Sequence, residues 1–139
     1  MTWYYKGEEF TSEMIGDYIG FVYCITDLST SKKYIGKKNF KSTRKLKPLK
    51  GKTRKRTVIK ESDWKSYFGS SDVVKTLLEE HGEGNFHREI LHLCTFKGEL
   101  SYMELKEQMD REVLLSDDYL NGIIQVRINQ SHVKSLHKK

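Results

Sequence analysis

Two tyrosines eleven residues apart, Tyr23 in Phe21-Val22-Tyr23 and Tyr34 in Tyr34-Ile35-Gly36, are the residues of this chain best suited to chemistry. A phenol can hydrogen-bond a water or an anionic oxygen. It can also move a proton, if its ordinary pKa near ~10 is lowered by cations or its proton is lost only transiently. The stretch between them, Cys24-Ile25-Thr26-Asp27-Leu28-Ser29-Thr30-Ser31-Lys32-Lys33, reads as strand, polar turn, strand. Apolar residues flank each tyrosine, and Asp27, Ser29, Thr30 and Ser31 supply turn chemistry. A hairpin of this kind sets the two phenols side by side, since facing positions on adjacent strands lie about 5 Å apart. Without the paired spacing, both would read as ordinary strand aromatics at a sheet edge.

The charge of the chain is concentrated directly after this hairpin. Of its 25 basic residues, 12 lie between 37 and 60, with no acidic residue among them. They are Lys37, Lys38, Lys41, Arg44, Lys45, Lys47, Lys50, Lys52, Arg54, Lys55, Arg56 and Lys60. The remainder holds 13 basic and 19 acidic residues, a net of −6, although the whole chain carries +6. A field gathered in one place suits a phosphate backbone, whose neutralisation releases condensed counterions. A solvated loop or a targeting tract is the plainer alternative. The position next to the tyrosines favours polyanion binding.

At 139 residues the chain suits one domain with a modest core. Residues 1–19, with Trp3, Tyr4, Tyr5 and Phe10, are expected to pack on it as a short strand and a helical turn. The hairpin covers 20–26 and 32–36. The basic stretch 37–60 contains the only proline and shows no sustained apolar period, so it reads as a long exposed loop with room for short ordered pieces. Ser70 or Ser71 then caps a helix carrying Val73, Val74, Leu77 and Leu78 that stops near Gly82 or Gly84. A third strand follows over 86–93. A second helix from about Glu99 to Leu115 puts Tyr102, Leu105, Met109 and Val113 on one face. After a turn at 117–122, Ile124, Val126 and Ile128 alternate as a final strand, and 129–139 form a basic, frayed tail.

Several classes are disfavoured. No apolar run is long enough to span a bilayer, and the first residues lack the features of a secretory signal. Cys24 and Cys94, the only cysteines, read as buried reduced thiols of a cytoplasmic protein. They form no zinc-type spacing with each other or with His81, His87, His92, His132 and His137.

The tyrosine pair, with the glycine after the second, resembles the GIY-YIG nuclease family, which is named for these two elements. Ser70-Ser71 before a helix, then His81-Gly82, Asn85-Phe86 and Glu89-Ile90-Leu91, is similar to the middle of phage-encoded, homing-type members. The order hairpin, helix, strand, helix resembles the family core across roughly 20–128. The resemblance implies an α+β fold, a small antiparallel β-sheet flanked by helices. It implies a DNA endonuclease that hydrolyses phosphodiester bonds in duplex DNA with one divalent metal ion, Mg2+ by preference. The working compartment would be the cytoplasm, that of a bacterial host if the chain is phage-encoded.

The resemblance also suggests roles residue by residue. Tyr23 would help deprotonate the attacking water, and Tyr34 would hydrogen-bond the water, the scissile phosphate or Tyr23. The family places an arginine shortly after the second motif; Arg44 holds about that position, and a guanidinium fork suits phosphate. Lys38, Arg54 and Arg56 are alternatives. The metal ligand would be a glutamate on the second long helix, Glu104 or, one turn on, Glu107. Glu104 is preferred because a carboxylate among Tyr102, Met103 and Leu105 is costly unless it binds a cation. Asn121 resembles the asparagine near the end of the core, there to bind phosphate or brace the site; its plain alternative is a turn before Gly122. Some relatives carry a histidine near position 38 or soon after the arginine. This chain has none between 37 and 80, which leaves the second proton-transfer group open. Trp64, Tyr67 and Phe68 suit a hydrophobic anchor better than base stacking. The rival reading is a catalytically impaired, DNA-binding accessory protein of the same fold, and RNA binding is a more distant third. Homing-type relatives add a DNA-reading module that 129–139 cannot form, so specificity is either low or drawn from the basic loop and from homodimerisation.

Overall fold

A computed structural model describes residues 2–137, apart from the side chains of Arg44, Ser135 and His137. Seven strands occur in chain order: β1 (Trp3–Tyr5), β2 (Glu8–Glu9), β3 (Gly20–Asp27), β4 (Lys33–Asn39), β5 (Lys41–Leu46), β6 (Arg56–Glu61) and β7 (Phe86–Cys94). Five of them form the central sheet, in the order β2-β1-β7-β3-β4. Its pairings are antiparallel except that of β1 with β7, which is parallel. Helices α1 (Asp72–His81), α2 (Lys97–Asp110) and α3 (Gln130–His137) flank the sheet. The fold is α+β.

β3 is buried on both faces, so its alternation sorts side chains between two cores rather than between core and water. Phe21, Tyr23 and Ile25 join an aromatic cluster with Trp3, Phe10, Phe40, Trp64, Phe68 and Phe86. Val22 and Cys24 face the other way, against Ile35, Leu100 and Val113, where α2 packs. The turn to β4 is fixed by Asp27, fully buried, whose Oδ1 accepts from Ser29 N, Ser29 Oγ and Asn85 Nδ2 at 3.0, 2.7 and 2.7 Å. This pins the hairpin to the segment that leads into β7. Opposite Tyr23 the ladder slips: Val22 pairs with His92 and Tyr23 with Ile90, leaving Leu91 as a bulge. A bulge bends the strand locally and re-aims its side chains.

Three expectations are corrected. The stretch 37–60 is not one long loop but the end of one strand and two more, joined by the exposed connection 47–55. β4 runs on to Asn39, Phe40 is fully buried, and β5 pairs with β6 as a two-stranded ribbon. The ribbon hid in the sequence because neither face is buried, so its strands need no apolar alternation; even Ile59 is exposed. Its base is tied down by Phe40 N to Ile19 O, Ser62 N to Phe40 O and Ser62 Oγ to Asn39 O, at 2.9, 2.7 and 2.6 Å. Second, residues 124–128 form no strand. The outer edge of β4 is met by an isolated bridge, Lys33 to Tyr119, and by the Asn121 side chain, and Ile124 packs into the second core. Third, the tail is helical over Gln130–His137, with residues 138–139 outside the described set: α3 lies on α2, with the His132 ring where a side chain at Gly98 would sit. α2 itself ends at Asp110, where Glu112 turns the chain with a φ of 52°.

Cys24 and Cys94 are both buried and free, as expected, and burial pushes the Cys94 thiol up to about 12. Among the described residues no helix is long and apolar enough to cross a membrane.

Candidate active site

Tyr23 and Tyr34 do come together. Tyr23 faces Gly36 across the β3–β4 ladder, and Tyr34 lies two residues along β4 on the same face, with ring centroids 6.3 Å apart. Gly36 makes this geometry by default of a side chain, because a Cβ there would overlap the Tyr23 hydroxyl. From the other side Gly69 closes over both rings. A Cβ on it would stand 3.3 Å from Tyr34 and 3.4 Å from the Tyr23 hydroxyl, and its φ of +92° suits only glycine.

A third phenol completes the group. Tyr67 meets Tyr23 edge-to-face at 5.9 Å between centroids. The Lys38 ammonium stands 4.2 Å over the Tyr67 ring and pairs with Asp63 at 2.6 Å. Beneath, Arg88 is fully buried between the rings of Trp3 and Phe68, 4.6 and 4.4 Å away, and its Nη1 donates to Tyr67 O at 2.8 Å. Desolvation lowers the Arg88 guanidinium to about 10.

α2 lies against the opposite face, yet the Glu104 carboxylate is near enough for its charge to bear on both phenols. β4 is the edge strand, and beside Gly36 it turns Lys38 toward Tyr67 and Lys37 toward α2. Lys37 Nζ donates to Ser101 Oγ at 3.0 Å and stands 3.9 Å from Glu104 Oε1. Glu104 is buried, and desolvation raises its carboxyl despite the Lys37 charge. Its negative charge in turn helps raise both phenols. Tyr23, 1% exposed, is raised well above the usual range, first by burial, then by Tyr67 and Tyr34 through charge, by a hydrogen-bonding contact with Tyr67, and by Glu104. Tyr34 is raised by burial, against a hydrogen-bonding contact with Ser70 that lowers it, with Tyr67 and Glu104 adding to the rise. Both phenols are therefore neutral near pH 7 and can act as hydrogen-bond donors.

The two glutamate candidates separate cleanly. Glu107 is engaged elsewhere: its Oε1 meets His92 Nε2 and its Oε2 meets Arg111 Nε, both at 2.8 Å. Burial would raise it, but those two partners outweigh burial and hold it low. Glu104 is left with the Lys37 ammonium at 3.9 Å. Among the described residues no three His, Cys, Asp or Glu side chains gather as a ligand set. A hard divalent ion held by one carboxylate, waters and phosphate oxygens fits Glu104 nonetheless.

Asn121 takes the bracing position of its readings. Its Oδ1 accepts from Ile35 N at 3.0 Å and its Nδ2 donates to Ile35 O at 2.8 Å, with Gln108 Nε2 donating to the same oxygen at 3.2 Å. The side chain thus stands in for a neighbouring strand, on the one residue between Tyr34 and Gly36. With both ends of its amide engaged and the residue buried, it is not disposed toward phosphate.

Arg44 lies on β5 opposite Val58, and its side chain falls outside the described set. Lys41 and Lys45 share that strand, and Arg56 begins β6. Lys47, Lys50, Lys52, Arg54 and Lys55 occupy the exposed connection 47–55. Between the ribbon and the body runs a cleft of about 760 Å³, with Lys37, Lys38, Lys41 and Lys97 along it. Of the lysines along this cleft, Lys38 reaches the phenol group through the Tyr67 ring. Sequence reasoning undervalued Tyr67 and overlooked Gly69 and Arg88. Tyr-Phe-Gly-Ser directly before a helix was the signal that could have found the first two.

Comparison with protein families matches residues 3–124 to the family described as "Putative endonuclease segE, GIY-YIG domain". No curated protein and no solved structure gives a significant match.

Proposed function

Because the chain belongs to the GIY-YIG nuclease family, we propose that it is a metal-dependent DNA endonuclease that hydrolyses phosphodiester bonds. The observation that carries this reading is the pairing of Tyr23 and Tyr34 over Gly36, with Glu104 buried on α2 beside Lys37 and its charge helping to raise both phenols. A buried, raised carboxylate gains most from a neighbouring cation, and a hard cation bound there would supply charge stabilisation to the phosphorane-like transition state.

The chain's own groups divide the remaining work. Tyr34, the less buried phenol, orients the attacking water, and Tyr23 accepts its proton as its own is passed on. Lys38, already beside Tyr67, exchanges Asp63 for a phosphate oxygen. It would hold the scissile phosphate from β4, while Arg44 lies on β5 of the ribbon. Asn121 keeps β4 straight between the two motif residues. The exposed cations of 47–55 contact the duplex backbone, which gives affinity without sequence information. One site per chain makes nicks, and a double-strand cut would need paired copies or two events.

Supercoiled plasmid with magnesium tests this. Wild type should nick, while Tyr23→Phe and Glu104→Ala should bind DNA and fail to cut. Wild-type binding without cutting would instead support the accessory-protein reading, which the deep burial of Tyr23 favours.

A further inference from the structure

The nuclease reading leaves one proton without an exit. Tyr23 is 1% exposed, so a proton taken by its oxygen leaves more readily through a neighbouring group that solvent reaches. No histidine lies between 37 and 80 to take it. Tyr34 has its own hydrogen-bonding contact with Ser70. Tyr67 faces Tyr23 and is partly exposed.

We propose that Tyr67 is the outlet, a third phenol that carries the proton from Tyr23 to solvent. This rests on the nuclease reading and deepens it. As the water oxygen bonds to phosphorus, its proton moves to the Tyr23 oxygen, the Tyr23 proton moves to the Tyr67 oxygen, and the Tyr67 proton leaves to bulk water. The departing alkoxide takes a proton from solvent. Both phenols end neutral, and nothing is oxidised or reduced.

Three contacts hold Tyr67 for this work. Its carbonyl accepts from buried Arg88 at 2.8 Å, and its backbone N–H donates to Trp64 O at 3.3 Å. Its ring lies under the Lys38 ammonium at 4.2 Å. A cation over the ring face stabilises negative charge as it develops there. The ionisable groups around it are Tyr23, Tyr34, Lys38, Asp63 and Arg88, with Glu104 beyond Tyr23. The hydrogen-bonding contact between Tyr67 and Tyr23 is already felt by the Tyr23 phenol.

The test is magnesium-dependent nicking across pH ~5 to ~9 for wild type, Tyr67→Phe and Tyr67→His, with DNA half-saturation and Tm measured alongside. Tyr67→Phe keeps the ring under Lys38, so its Tm and half-saturation should match wild type while kcat falls by about 100-fold. Tyr67→His should recover part of that rate with a new inflection near pH ~6.5, which a purely structural role would not produce. The inference is overturned if wild type cuts and Tyr67→Phe cuts as fast at every pH, or if Tyr67→His follows the Tyr67→Phe profile. A wild type that binds DNA without cutting overturns the nuclease reading itself, and the outlet with it.

Discussion

Gly36 and Tyr23 are cross-strand partners, and the phenol occupies the volume that any side chain at position 36 would fill. The glycine of the second motif is therefore a steric counterpart of the tyrosine of the first. Gly36→Ala should force the Tyr23 ring aside and cost about 1–3 kcal/mol, as overpacking does. In a Tyr23→Phe background the penalty should shrink, since the nearest atom in conflict is the hydroxyl oxygen. Thermal denaturation of the two single variants and the double variant measures that coupling. Strict additivity would show that the contact is not the reason for the glycine.

Glu104 should make the protein less stable as it ionises. Its folded-state carboxyl is raised above the unfolded value, so the native chain binds more protons than the unfolded chain between the two. Stability then falls as pH rises from the unfolded carboxylate range through the raised folded value, and the deficit is complete above it. Glu104→Gln should accordingly raise Tm at pH 7, and the gain should fade as pH falls toward ~4. Millimolar magnesium should raise the wild-type Tm more than that of the variant, because only the carboxylate can use the cation. An equal rise in both would remove Glu104 as the ligand. Cutting should be lost in the variant even though it is the more stable protein.

The parts of this architecture that were legible in sequence are those whose burial leaves a pattern. Tyr23 and Tyr34 announced a hairpin because apolar neighbours surround them and Asp27 to Ser31 supply a turn, and α1 showed its Val74, Leu77, Leu78 face, although Val73, read with them, is exposed. The β5–β6 ribbon was not legible, because a two-stranded element in solvent on both sides satisfies its backbone without asking anything of its side chains. Ile124, Val126 and Ile128 alternated as a strand should, yet β4 had its edge met by the Asn121 side chain instead. Hydrophobic period cannot foresee that substitution. Tyr67 was hidden for another reason: its role depends on Arg88 and Lys38, distant in sequence and of types normally exposed.

Asn121 should act on the reaction through Ile35. Asn121→Leu preserves bulk but removes both amide hydrogen bonds from the edge of β4, leaving Ile35 O to Gln108 alone and Ile35 N without its acceptor. The expected loss is about 1–3 kcal/mol of stability. Nicking should fall in kcat, because the backbone between Tyr34 and Gly36 is no longer held, while half-saturation for DNA stays near wild type. A rise in half-saturation with kcat preserved would mean that the amide contacts DNA after all.

The ribbon should separate affinity from folding. Its base is anchored by Phe40 and Ser62, whereas residues 47–55 only connect β5 to β6 and touch neither core. Replacing that connection with an Asn-Gly turn should therefore leave Tm within a degree or two of wild type, since two-residue turns of this kind suit antiparallel ribbons. It removes Lys47, Lys50, Lys52, Arg54 and Lys55. If these cations neutralise phosphates, duplex affinity should drop uniformly across sequences. The slope of log K against log salt should then become shallower by about 0.9 for each phosphate no longer neutralised. Cutting at saturating DNA should survive, because Lys38, Tyr67 and Glu104 remain in place. An unchanged salt slope would show that these five cations face water, and that the duplex is held by the cleft along Lys37, Lys41 and Lys97 instead.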